Sequence, residues 1–253
     1  MRGQGMSDPD NEKMPLTAHL EELRTRLIRS LIVVGICFVV CYGFKEKLFW
    51  IVSRPLIQVM PPGSFMIFTG LPEAFFTYLK ISFFAGLFLA SPYVLYQIWK
   101  FISPGLYQAE KKYVVPFVIT STLLFISGIC FGYFIVLPPA FKFFVDFSTD
   151  FFRPMFTLKE YLSLTLKLLL AFGIVFEIPV FLFFMTKIGI VNSRMLSKQR
   201  KYAILIIFIV AAVLTPTPDA FTQILMALPM MVLYEVGILV SRWGERKRKT
   251  SVE

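Results

Sequence analysis

Charge is scarce in this chain, and the scarcity decides its class. Asp, Glu, Lys and Arg make up 17% of its 253 residues, against about 25% in an ordinary soluble domain. Hydrophobic residues reach 57% and the mean hydropathy is +0.70. The excess lies in long runs, which excludes a soluble globular domain and predicts an all-α polytopic membrane protein. Ten-residue segments of alternating polarity are missing, which excludes a membrane β-barrel. Histidine is represented by His19 alone. With no His-Glu-x-x-His, no phosphate-cradling glycine loop and no Gly-x-Ser-x-Gly, no enzyme is expected. Cysteine offers no disulfide framework: Cys37, Cys41 and Cys130 all sit inside apolar runs. Cys37 and Cys41 share a helical face but have no third ligand nearby, so they read as small apolar groups and no metal site is expected. A basic head and a small-residue cleavage site are also lacking, so the first apolar run is expected to be a retained span.

What is present is a series of apolar runs with proline and glycine between them. Residues 1–13 are polar and predict a disordered tail. From Pro15, Leu16, Leu20, Leu23 and Leu27 recur at helical spacing, which predicts an amphipathic interfacial helix leading into the first span. One transmembrane domain is expected over 14–243, with spans near 27–44, 74–99, 114–137, 161–185, 202–214 and 220–240, then a basic tail at 244–253. Pro92 predicts a kink in the second span, and Pro138-Pro139 an end to the third. The fifth run is only about 20 Å long as a helix, against a hydrocarbon core of about 30 Å. The closing pair is therefore expected to be short, in a thinned bilayer or against a partner. Trp50, Trp99 and Trp243, near span ends, read as interface anchors.

The net charge of +10 takes its meaning from placement. Of 26 Lys and Arg, 18 fall on the N-terminus, the second-to-third and fourth-to-fifth loops and the C-terminus, while 6 fall on the opposite face. The positive-inside rule then puts both termini in the cytoplasm, which requires an even number of spans, and six fits. A membrane surface, not nucleic acid, accounts for the basic excess.

Against this background the acids stand out. Glu177 lies mid-span, flanked by Phe176 and Ile178 with Pro179 following. A carboxylate there costs at least about 2.5 kcal/mol on insertion scales, so it marks either a pathway or an acid bonded to a neighbouring helix. Glu110 is the lone acid of the basic loop Lys100–Lys112. Glu21 and Glu22 are spaced to pair with Arg24 and Arg26 at i+3 and i+4. Alternatively, Glu22 and Glu110 form a carboxylate pair able to hold guanidinium groups by bidentate hydrogen bonds.

Four motifs resemble one family. Pro15 to Leu27, Pro92 to Glu110, Phe172 to Val180, and Leu214-Thr215-Pro216 with Asp219, Phe221 and Gln223 are similar to signatures of TatC. TatC is the multispanning receptor subunit of the twin-arginine protein translocase. Thr217 departs from the pattern as an extra residue in the proline turn. The resemblance implies six spans in a cupped bundle in the inner membrane, both ends cytoplasmic, with no enzymatic activity and no cofactor. It implies that Glu22 and Glu110, with Glu21, Arg24 and Phe101 beside them, contact the paired arginines of a signal peptide carried by folded cargo. It places Glu177 and Pro179 on the concave face and marks Pro55, Tyr133 and Asp219. Thr215 and Gln223, with Asp219, would dock the single-span partners TatA and TatB, and the proton-motive force would drive export. A pore for folded cargo does not fit in one 29 kDa subunit, so oligomerisation or recruited partners are required. The competing expectation is a proton-coupled secondary transporter or channel for a small solute, built on Glu177.

Overall fold

A chain crossing hydrocarbon must satisfy its backbone internally, and here it does so with helices. The computed structural model describes residues 16–102, 114–146, 155–214 and 220–250, and no strand occurs among them. The first crossing is α1 (Leu16–Gly43), 28 residues and so about 42 Å long. The expected interfacial helix and first span are thus one continuous helix, whose opening turns project beyond the apolar slab. The second crossing is α3 (Glu73–Ile102), and α2 (Lys45–Ile57) lies between the two. Expectations for residues 1–13 and for Glu110, Thr215 and Asp219 lie outside the described residues.

The prolines inside these helices are accommodated individually. Each removes a donor from the carbonyl four residues earlier. In α2, Pro55 deprives the Ile51 carbonyl, and the Tyr133 hydroxyl donates to that oxygen at 2.5 Å. The Tyr161 hydroxyl donates to the next carbonyl, Val52, at 2.6 Å. In α3, Pro92 deprives Phe88, and Ser91 Oγ donates to the Phe88 carbonyl at 2.8 Å. Pro138-Pro139 does not end the third crossing, contrary to the sequence expectation. α4 (Val114–Phe131) passes through a π-helical turn, Gly132–Val136, into α5 (Leu137–Asp146). The wider turn shifts the pairing, with the Leu137 N–H donating to the Gly132 carbonyl, and the two prolines follow without a break.

The fourth crossing is divided. α6 (Leu158–Val175) stops and α7 (Ile178–Lys187) restarts after Phe176-Glu177. α8 (Ser193–Lys198) occupies part of the expected basic loop, capped by Asn192, whose side chain accepts from the Met195 N–H at 2.7 Å. α9 (Arg200–Leu214) has 15 residues, about 22 Å, and is the short crossing. α10 (Ala220–Thr250) has 31, so shortness belongs to α9 and not to the closing pair. Glu245 explains why α10 continues past the apolar stretch. Its carboxylate accepts from Ser193 N–H at 2.6 Å and Ser193 Oγ at 2.7 Å, fastening the helix to α8.

The core forms around α6, where Leu162, Leu166, Leu168 and Phe172 are almost fully enclosed. α3 packs against α1, α2, α4 and α6, and α7 packs on α10. The α1–α3 contact is close because Gly86 lacks a side chain: a Cβ there would lie 2.7 Å from the Phe38 backbone nitrogen. Trp99 is no interface anchor, because it is 6% exposed and stacks on Phe117 at 5.0 Å, also meeting Phe184 edge-on. Trp50 and Trp243 are exposed, as anchors would be. At the other end, Ile67 and Leu158 tie two connections together through the bonds Ile67 N–H to Phe156 O and Leu158 N–H to Ile67 O. Glu73 reinforces the tie by accepting from the N–H groups of Thr69 and Lys159, each at 2.8 Å.

Tyr133→Phe should lower unfolding stability in detergent by about 1–3 kcal/mol, because it leaves the Ile51 carbonyl without a donor. The loss should shrink in a Pro55→Ala background, where residue 55 regains its own N–H. Equal losses in both backgrounds would show that the hydroxyl does not serve that carbonyl.

Candidate functional site

The opening turns of α1 run beside the last turns of α3, and this contact gathers several of the singled-out residues. Glu22 is half-buried and its Oε1 accepts from Arg26 Nε at 2.9 Å and also from Arg26 Nη2. The third arm of the same guanidinium reaches α3, where Arg26 Nη1 donates to Gln97 Oε1 at 3.1 Å. Gln97 is 5% exposed and donates in turn to the Tyr93 hydroxyl at 2.7 Å. His19 lies flat on Phe101, ring centroids 4.3 Å apart and planes 13° apart. Its Nδ1 is 3.9 Å from Glu22 Oε2, so the second carboxylate oxygen has an imidazole nearby without a hydrogen bond.

This arrangement follows from helical spacing. Residues 19, 22 and 26 lie on one face of α1, toward α3, so His19, Glu22 and Arg26 meet Phe101 and Gln97 there. Glu21 and Arg24 fall on exposed faces, and the expected pair between them is not formed among the described residues. Glu21 lies beside Glu22 in a shallow groove of about 350 Å³ lined by Ala18, Glu21, Glu22, Thr25, Arg26 and Arg29. The structure therefore joins Glu22 with Phe101 and leaves Arg24 apart. The Glu22–Arg26 pair was expected from its spacing and is formed, whereas the contribution of Gln97 and His19 was not anticipated. For Arg26 the i+4 spacing was a visible signal, whereas nothing local marks Gln97 as its partner.

A second polar feature lies inside the membrane region. Glu177 occupies the break between α6 and α7, and buried Pro179 follows in the first turn of α7. Pro179 has no N–H for the Val175 carbonyl, which accounts for the break. Glu177 Oε1 is buried with no hydrogen-bond partner among the described residues. The Ser121 hydroxyl neighbours the carboxyl and accepts from Trp99 Nε1 at 2.8 Å. Trp99, Ser121 and Glu177 thus form a polar file through otherwise apolar packing of α3, α4 and α7.

The remaining marked residues have local partners. Pro55 and Tyr133 belong together, since the tyrosine replaces the donor that the proline lacks. Gln223 Nε2 donates to the Phe208 carbonyl at 3.1 Å, linking α9 to α10. Glu235 pairs with Arg200 at 2.8 Å where both are about half-exposed.

Helices long and apolar enough to span, Thr17–Gly43, Glu73–Ile102, Val115–Asp146, Leu158–Lys187 and Ala220–Glu245, together with the short α9, define a multi-span helical membrane protein. Its polar side chains converge at helix ends and at one intramembrane break. The chain belongs to the TatC family: the model of the Sec-independent protein translocase protein (TatC) matches residues 18–229. It is 53% identical to the Sec-independent protein translocase protein TatC of Desulforapulum autotrophicum over 96% of this chain and 90% of that one. It is 40% identical to that of Escherichia coli (strain K12) over 96% and 93%. A crystal structure of the twin arginine translocase receptor TatC superposes with a TM-score of 0.80 at 39% identity, over 90% of this chain and 99% of that one. As a family member the chain is an integral membrane component of a protein translocase and not an enzyme, which sets aside the solute-transporter expectation.

Replacing Glu177 by Leu should change unfolding stability in detergent by less than about 1 kcal/mol, since it removes both the Oε1 that has no partner among the described residues and the carboxyl's contact with the Ser121 hydroxyl. A clear fall in the unfolding temperature would assign the carboxyl a structural bond.

Proposed function

We propose that this chain is the receptor subunit that recognises the paired arginines of a signal peptide at the face where the N-terminus of α1 meets the C-terminus of α3. The observation that carries this is the half-buried Glu22 carboxylate, walled by His19 on Phe101 and already in hydrogen-bonding contact with a guanidinium. The site is chemically suited to the planar fork of arginine, because Glu22 holds one such fork at rest. Glu110 supplies the second carboxylate, with Glu21 and Arg24 at the edge of the patch.

The excess of basic residues on this face supports a cytoplasmic placement for it, with both termini inside. Carboxylates among so many cations give an arginine-bearing peptide a local point of attachment that the surrounding field does not offer. Gln223 on α10, with Thr215 and Asp219, marks where single-span TatA and TatB subunits dock beside α9, whose short length leaves hydrocarbon to be matched by a neighbour. Glu177 and Pro179 line the concave face that the bound peptide follows. Folded cargo needs an opening larger than this chain encloses, so several copies and their partners act together, driven by the proton-motive force.

A labelled Arg-Arg signal peptide should bind the purified protein in a salt-sensitive manner. Glu110→Ala should weaken it by roughly 10–150-fold, the equivalent of a charge-assisted hydrogen bond, and Glu22→Ala by less, because that carboxylate already holds Arg26. A Lys-Lys peptide should bind more weakly than Arg-Arg, because an ammonium cannot reproduce the fork. Undiminished binding by a protein carrying glutamine at both positions would overturn the proposal.

A further inference from the structure

Glu22 already has an occupant. Two nitrogens of Arg26 converge on its Oε1, and the third nitrogen is bonded to Gln97 across the helix interface. We propose that Arg26 is a resident competitor for the peptide: its guanidinium occupies the carboxylate that receives the incoming arginine, and binding exchanges one guanidinium for another. This inference rests on the reading of Glu22 as a peptide contact and specifies what controls its affinity.

Three features of the geometry support the exchange. Arg26 has a second holder, so losing Glu22 does not leave it without a hydrogen bond. Gln97 keeps its contact with Nη1, and the amide is itself fixed by the Tyr93 hydroxyl. Both donors from Arg26 use the same oxygen, so among the described residues Glu22 Oε2 has only His19 Nδ1 near it, at 3.9 Å, and offers an incoming fork a first point of contact. The side chains of Arg26 and Glu22 are 14% and 23% exposed. At that burial their attraction is screened less than that of an open i,i+4 surface pair, so the resident ion holds the site when peptide is absent.

The consequence for binding is quantitative. Charge-assisted bonds at Glu22 are much the same before and after the exchange, so that carboxylate adds less to affinity than an unoccupied one would. The observed dissociation constant is raised by the fraction of time the carboxylate is held by Arg26. A receptor that must later pass its cargo onward is served by such a limit, because Arg26 stays on the adjacent turn, tethered to Gln97, and can recapture Glu22 as the peptide leaves.

The test compares binding of a labelled Arg-Arg signal peptide to the full-length protein and its variants. R26Q should tighten binding about tenfold, because the competitor is gone while a side chain able to hydrogen-bond Gln97 remains. R26K, which keeps the charge but not the fork, should show a smaller gain in the same direction and serves if R26Q does not fold. R29Q removes a neighbouring charge from the same groove without freeing Glu22, and should gain less than threefold. In an E22Q background R26Q should give no gain, since no carboxylate is left to release. Equal or weaker binding by both R26Q and R26K would make Arg26 a positioning residue and overturn the proposal, as would a gain from R29Q as large as that from R26Q. Wild-type protein whose peptide binding is indifferent to E22Q would instead refute the reading of Glu22, a separate outcome visible in the same series.

Discussion

At the edge of a hydrocarbon slab, an acceptor without a donor is expensive, and much of this structure consists of supplying donors to acceptors that proline or charge has isolated. The Ile51 carbonyl, deprived by Pro55, accepts its hydrogen bond from Tyr133 on another crossing. The Phe88 carbonyl, deprived by Pro92, takes its from Ser91 on the same helix. Pro138-Pro139 is tolerated because a π turn shifts the pairing ahead of it. Each arrangement also has an architectural effect: the tyrosine fastens the α2 segment to the third crossing, the serine keeps α3 unbroken, and the π turn carries the third crossing to Asp146. Carboxylates obey the same rule, Glu73 being met by backbone N–H groups and Glu245 by Ser193. The exception is Glu177, whose Oε1 is buried without a partner among the described residues, at a point where the helix itself is broken.

The rule connects fold to function at the α1–α3 contact. Gly86 lets the two helices approach closely, and the approach brings Gln97 and Phe101 against the Glu22 face of α1. A carboxylate held there must be paired, and the protein pairs it with a guanidinium of its own. The same chemistry suits it to a guanidinium from outside. The intramembrane break at Glu177 presents the opposite case: its Oε1 has no partner among the described residues, and the Ser121 hydroxyl beside the carboxyl accepts from Trp99 while keeping its own proton to donate.

Much of this was legible in the sequence, and the reasons for the remainder are physical. Apolar runs and prolines located the crossings and the short α9, because hydrocarbon thickness is a strong constraint on length. The Glu22–Arg26 pair was legible because i+4 neighbours meet on any helix. Family motifs identified Glu22 and Phe101 as belonging to one patch. The Arg26–Gln97 bond joins residues 71 positions apart, and the Tyr133–Ile51 bond residues 82 apart, so neither has a local signature. Pro138-Pro139 read as a stop because local propensity cannot foresee a π turn absorbing it. Trp99 read as an anchor because closeness to a span end does not say which way a ring faces. α10 read as short because a helix that leaves hydrocarbon can continue in water once another element, here α8, fastens it.

Recognition on these terms requires peptide arginines to arrive where α1 and α3 meet. The direct measurement places a photoreactive group beside the arginine pair of a signal peptide, crosslinks it to the intact protein in membranes, and maps the adducts. They should concentrate between His19 and Arg29 and around Phe101, and should disappear when Glu22 and Glu110 are both glutamine. Adducts confined to the α9–α10 face, or a pattern unchanged by those substitutions, would contradict it.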